Sequence, residues 1–119
     1  MRHVQALSLA GVALTTTDRN ANELRVVLRR EFGLSAEQAD EEVERVSRPL
    51  ELLAPESYEP FRIDADRRLR KGGEPDWPVL SAALALDCAI WSEDIDFFGT
   101  GVPVWSTANV LLCAADSKD

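Results

Sequence analysis

Ala89-Ile90-Trp91-Ser92-Glu93-Asp94-Ile95-Asp96-Phe97-Phe98 passes from an uncharged apolar run into a hydroxyl and then into two carboxylates two residues apart. A short apolar run bounded by polar residues fits a strand buried on both faces, as in a parallel sheet covered by helices. In such sheets ligands and metals bind beyond the carboxyl ends of the strands, so Ser92, Asp94 and Asp96 stand where chemistry is expected. Carboxylates crowded at one point are costly unless a cation or a basic partner offsets them. The stretch points to an α/β domain with a hard-cation site at a strand end.

Working outward, the pattern alternates helices with short strands. Upstream, Asp76 opens a helix with Pro78 in its first turn, where a missing N–H does no harm. From Trp77 to Leu86 nearly every side chain is apolar, which predicts a helix buried on most faces. Gly72-Gly73 with Pro75 is the clearest loop signal, and Glu56 to Arg70 predicts a less regular helix. Further upstream, Val4 to Ala10 reads as a helix ending at Gly11, Val12 to Thr17 as a β-branched strand, and Leu50 to Ala54 as a second strand. Between those strands lie two helices. Asp18 and Asn20 open the first, with Leu24, Val27, Leu28 and Phe32 at helical spacing and Gly33 at its end. Ser35 caps the second, whose apolar stripe is Ala36, Ala39, Val43 and Val46, and Pro49 stops it. Downstream, Ala89 to Ser92 is the third strand, Val102 to Trp105 the fourth, and Ser106 or Thr107 caps a final helix through Cys113. The expectation is a three-layer α/β/α domain with a short, mostly parallel sheet. One domain over residues 1–115 and a frayed tail at 116–119 complete the expected organisation.

The 119 residues suffice for one core, and 45% hydrophobic with 29% charged residues is ordinary globular usage. A net charge of −8 repels nucleic acid at long range, so an RNA-binding role requires a local basic patch or a bound metal. No apolar stretch approaches the roughly 20 residues of a membrane span, and the N-terminus is a poor signal peptide. Cys88 and Cys113 sit in apolar contexts, read as two buried thiols, and indicate a cytoplasmic protein. The single histidine, His3, lies at an N-terminus expected to be mobile, which argues against histidine catalysis.

Acids fall at three places where a strand meets a helix or loop: Glu23, Asp76 and the Asp94/Asp96 pair. Mg²⁺ and Mn²⁺ take oxygen ligands, and a cation so held can activate water against a phosphodiester. Ser92 can orient a carboxylate by hydrogen bonding. Each acid also has a purely structural explanation. Asn20 and Glu23 match a capping box, Asp76 a simple N-cap, Asp94 the start of a turn, and Asp96 a solvated charge. Glu93 is read as a surface charge. The Arg67-Arg68-x-Arg70-Lys71 cluster is either a solvated face or a landing strip for a phosphate backbone. Trp77, Trp91 and Trp105 lie within apolar segments and are read as core.

Asp76-Trp77-Pro78-Val79-Leu80, Ala82 to Leu86 and Ile90 to Phe98 together resemble the second half of a PIN domain. Gly101 to Thr107 resembles that family's last strand and turn. Thr15 to Asp18 and Glu23-Leu24-x-x-Val27-Leu28 resemble its second strand and the following helix. The resemblance implies a metal-dependent ribonuclease using Mg²⁺ or Mn²⁺, of a family in which many members are toxins neutralised by an antitoxin protein. It implies Glu23, Asp76 and Asp94 as catalytic acids, Asp76, Asp94 and Asp96 as metal ligands, and Ser92 as a supporting hydroxyl. Arg67, Arg68, Arg70 and Lys71 are the expected RNA-binding residues.

One departure stands out. The family's first strand, which ends in an Asp, has no counterpart here, so the sheet is expected to lack its middle strand and the site its first acid. A truncated reading frame, a rearranged sheet or a covering dimer would each accommodate the gap, and a homodimer is expected. The alternatives to a nuclease are a catalytically inactive interaction module of the same fold, or an α/β domain whose acids are all caps.

Overall fold

The computed structural model describes residues 2–71 and 73–113. The expected tail from Asp116 to Asp119 lies outside them. The first helix, α1 (Arg2–Leu9), ends where Gly11 takes φ +85°, and the Val12 N–H returns to the Leu7 carbonyl at 2.9 Å. Strand β1 is only Thr15–Thr17 and runs directly into α2 (Asp18–Arg30). The cap of α2 is Thr17, whose hydroxyl accepts the Asn20 N–H at 3.1 Å. The capping box expected at Asn20 and Glu23 is therefore not the helix start. β1 hands the chain over earlier, and Glu23 rides a full turn inside the helix.

Gly33, at φ +67°, turns the chain toward α3 (Ala36–Ser47). That helix opens on a capping box in which Ser35 and Gln38 exchange bonds of 3.1 and 3.0 Å, and it buries Ala39 and Val43. Strand β2 (Glu51–Leu53) pairs with β1 in parallel, Thr16 opposite Leu52. The irregular segment after it resolves into α4 (Pro55–Tyr58), a 3₁₀ turn at Glu59–Phe61 and α5 (Arg62–Arg68). A second 3₁₀ turn, Glu74–Asp76, leads into α6 (Trp77–Leu86), which ends at Asp87 in the left-handed conformation.

Helix α6 is the centre of the core. Leu80 is fully buried, and around it pack Tyr58, Ala65, Leu69, Ile90 and Phe97 from the helices and strands on either side. Strands β3 (Ile90–Trp91) and β4 (Val104–Trp105) pair in parallel, Ile90 opposite Val104. The helix expected from Ser106 to Cys113 is replaced over most of its length by successive tight turns. Asn109 bonds back to Ser106 and Leu112 to Asn109, three residues apart rather than four. Among the described residues no helix is long and apolar enough to cross a membrane.

The fold is helix-rich α/β with parallel strand pairs, as expected, but its sheet is divided. β1–β2 and β3–β4 are separate two-stranded ladders. Between β1 and β3 lies a largely apolar cleft of about 740 Å³, walled by Leu7, Leu14, Thr16, Ala83, Ile90 and Trp91. The radius of gyration, 14.8 Å, exceeds the about 13.5 Å typical of a compact chain this long. Two local expectations are corrected. Cys88 is exposed, because it follows the left-handed turn that carries the chain off α6, and Cys113 is half-buried. His3 is held on α1, its ring 6.3 Å from that of Trp91.

Candidate functional site

The carboxyl end of β3 organises the acids through a relay of short-range bonds. Ser92 Oγ accepts the Asp94 N–H at 3.0 Å, and Asp94 Oδ1 accepts the Asp96 N–H at 2.9 Å. The second bond starts the 3₁₀ turn Ile95–Phe97, and buried Phe97 nails that turn to the core. The turn-forming role expected as a structural explanation for Asp94 is thus real. It also leaves the other carboxylate oxygen of Asp94 unused by that turn.

Asp76 arrives from the opposite side, at the head of α6. Its side chain makes no capping bond, so the simple N-cap expected for it is absent. Its carboxyl meets the strand end instead. One oxygen from each of Asp76, Asp94 and Asp96 falls within 4.8 Å of the others, and all three residues are half-buried. Burial first, then a hydrogen bond shared with Asp94 and the charges of Asp94, Asp96 and Glu23, push the Asp76 carboxyl up to about 6. Glu23 therefore lies near enough to be felt, although it is exposed and outside the close triad. It lines a polar cleft of about 720 Å³ together with Asp76, Arg19 and Trp77.

The basic cluster divides into engaged and solvent-facing side chains. Arg68 binds Asp64 at 3.2 Å and donates to the Thr100 carbonyl at 2.9 Å. Arg70 donates to the Ile95 carbonyl at 3.1 Å and approaches Asp96 at 3.5 Å, so it braces the acidic turn. Arg67 and Lys71 are exposed. Glu93, read as a surface charge, accepts the backbone N–H of Thr107 and thereby ties the turn after β4 to the site. That bond holds its carboxyl below the usual range.

Two further contributors carried little local signal. Gly73 is buried, and a Cβ there would stand 3.2 Å from Asp96 Cγ and 3.3 Å from the Arg70 carbonyl oxygen, so only glycine lets the loop close on Asp96 without displacement. Asp18 accepts the hydroxyl of Tyr58, which is fully buried beside Trp77. The Gly-Gly pair was the one sequence hint of the first. Nothing local announced the second.

The arrangement suits a small hard cation. An octahedral Mg²⁺ with ligands at about 2.1 Å places their oxygens roughly 3.0–4.2 Å apart, a spacing that small side-chain rotations reach from the observed one. The family model described as PIN domain matches residues 2–114, nearly the whole chain.

This chain belongs to the PIN domain family.

No curated protein and no solved structure gave a significant match. PIN domains have a nuclease-type fold and generally use divalent metal, and the three converging carboxylates of this PIN domain are consistent with that use. The family match spans α1 through β4, so it covers both halves of the divided sheet as well as the acids.

Proposed function

We propose that this PIN domain is a Mg²⁺- or Mn²⁺-dependent endoribonuclease that hydrolyses RNA phosphodiester bonds in the cytoplasm, acting as a toxin restrained by an antitoxin protein. The observation that carries this reading is the convergence of Asp76, Asp94 and Asp96 within 4.8 Å, with Glu23 close enough to raise Asp76. Arg70 approaches Asp96 at 3.5 Å, but among the described residues no cation pairs with Asp76 or Asp94, so the three crowded carboxylates leave charge for a bound cation to offset.

Asp76, Asp94 and Asp96 would hold the ion. When bound there, it supplies an activated water and offsets charge on the phosphodiester oxygens. Ser92 fixes Asp94 through its backbone N–H, and Arg70 steadies the Ile95–Phe97 turn that presents Asp96. Glu23, on the solvent side of Asp76, orients the attacking water and takes its proton at the carboxylate. With Mn²⁺ and a labelled single-stranded RNA, Asp76→Asn and Asp94→Asn are each expected to slow cleavage on the order of 100-fold. Undiminished cleavage by either variant would overturn these roles.

The divided sheet favours a second reading, a catalytically inactive module that keeps the fold for binding. RNA or protein binding without cleavage at any Mn²⁺ or Mg²⁺ concentration would select it.

A further inference from the structure

An RNA-binding surface on a chain of net charge −8 needs a local cation at the site itself, because the acids repel the phosphate backbone they would cut. Two groups of cations were candidates. In the Arg67 to Lys71 cluster, Arg68 and Arg70 are committed to Asp64, Thr100, Ile95 and Asp96. The second group lies in the polar cleft on the other side of Asp76, where the lining cations among the described residues are Arg19 and Arg25. Arg25 is engaged by Asp40 and by Asn22 at 3.2 Å. Arg19 is held differently. Its guanidinium lies over the Trp77 ring, 5.1 Å from the centroid, and donates to the Tyr58 hydroxyl, while its ion pair with Glu59 is long, 3.7 Å, with both side chains half exposed.

We infer that Arg19, stacked on Trp77 in the cleft beside Glu23 and Asp76, is the subsite for a backbone phosphate of single-stranded RNA adjoining the scissile one. The indole contact and the Tyr58 hydroxyl restrain the guanidinium, and the N–H donors now turned to Glu59 are the ones a phosphate's oxygens would take. The Glu59 pair is an exposed one of the kind that contributes little, so a phosphate can replace the carboxylate at small loss. Trp77 itself is buried and belongs to the core, with the Arg62 guanidinium also over it at 4.3 Å. It positions the arginine and does not stack a base. The strand would then run from the acids along the first turns of α2, away from Arg67 and Lys71.

The inference rests on the nuclease reading for its ligand, and binding separates the two. A labelled 2′-O-methyl uridine decamer, verified by gel to stay intact through the titration, is titrated by fluorescence anisotropy in Mn²⁺ across a salt series. Arg19→Met keeps apolar contact with Trp77 and removes the charge; it is expected to weaken binding about tenfold and to lower the salt slope by about 0.7, the loss of one phosphate contact. Arg19→Lys is expected to retain the slope, which shows that charge and not packing is lost. Arg67→Gln with Lys71→Gln is expected to change affinity less than twofold. Unchanged affinity and slope in Arg19→Met, or a loss confined to the Arg67/Lys71 variant, overturns the subsite. RNA bound through Arg19 but never cleaved when unmodified would defeat the nuclease reading and leave the subsite standing. Cleavage and binding indifferent to Arg19 would do the reverse.

Discussion

Asp76 is the residue on which the site's electrostatics turn. A carboxyl raised to about 6 holds its proton in the folded protein at pH values where the unfolded chain has lost it. The folded state therefore binds more protons between about pH 4 and pH 6, and in that window stability falls as pH rises. This contribution is fully present below pH 4 and gone above 6. In EDTA, urea unfolding is expected to show that decline, and Asp76→Asn to remove its part of it; a slope identical in the variant would refute the assignment. A second prediction concerns Ser81, which is fully buried on α6 with its hydroxyl lacking a hydrogen-bond partner among the described residues. Ser81→Ala discards a desolvated polar group and is expected to leave stability unchanged or raise it by up to about 1 kcal/mol, measurable by denaturant midpoint. At this scale much was legible. Asp94 starting a turn, Ser35 capping a helix and Ser92 bonding nearby each involve partners within three residues. Glu93 is exposed, as read, but its bond to Thr107, 14 residues away, had no local signal.

At the scale of elements, the site depends on how two ends meet: the head of α6 and the turn after β3. Gly73 controls that meeting by letting the loop lie against Asp96 and the Arg70 carbonyl. Gly73→Ala is expected to push Asp96 outward and weaken Mn²⁺ affinity several-fold while preserving the fold. Calorimetric titration of Mn²⁺ would read the change, and unaltered affinity would show that the close packing is incidental. The bounds of α6 were legible to the residue, since an apolar run opened by Asp76 and Pro78 has few alternatives. The start of α2 was not. Both Thr17 and Asn20 are good capping residues, and only the end of β1, fixed by pairing with β2, chose between them. The final helix failed for a related reason. Its good local pattern was outweighed by contacts that draw residues 106–111 into tight turns and bury Val110.

Across the whole molecule the dominant feature is the cleft between β1 and β3. Among the described residues neither strand has a second ladder partner, and the cleft's walls are largely apolar. Unpaired parallel edges beside apolar surface favour self-association, so a homodimer is predicted. Light scattering after size-exclusion chromatography would then give twice the 13.2 kDa chain mass. A monomer that persists at high concentration would exclude it. The sequence alone determined the alternation of helices and strands, the apolar α6, the strand end at Ser92 and the identities of the acids. These depend on periodicity and turn chemistry within a few residues. Tertiary structure alone decided that Asp76 faces Asp94 instead of capping its helix. It alone turned Arg70 into a brace and set Arg19 on Trp77. Each of those outcomes depends on groups about 20 to 60 residues apart in sequence, whose energies arise only once burial and charge are shared in space.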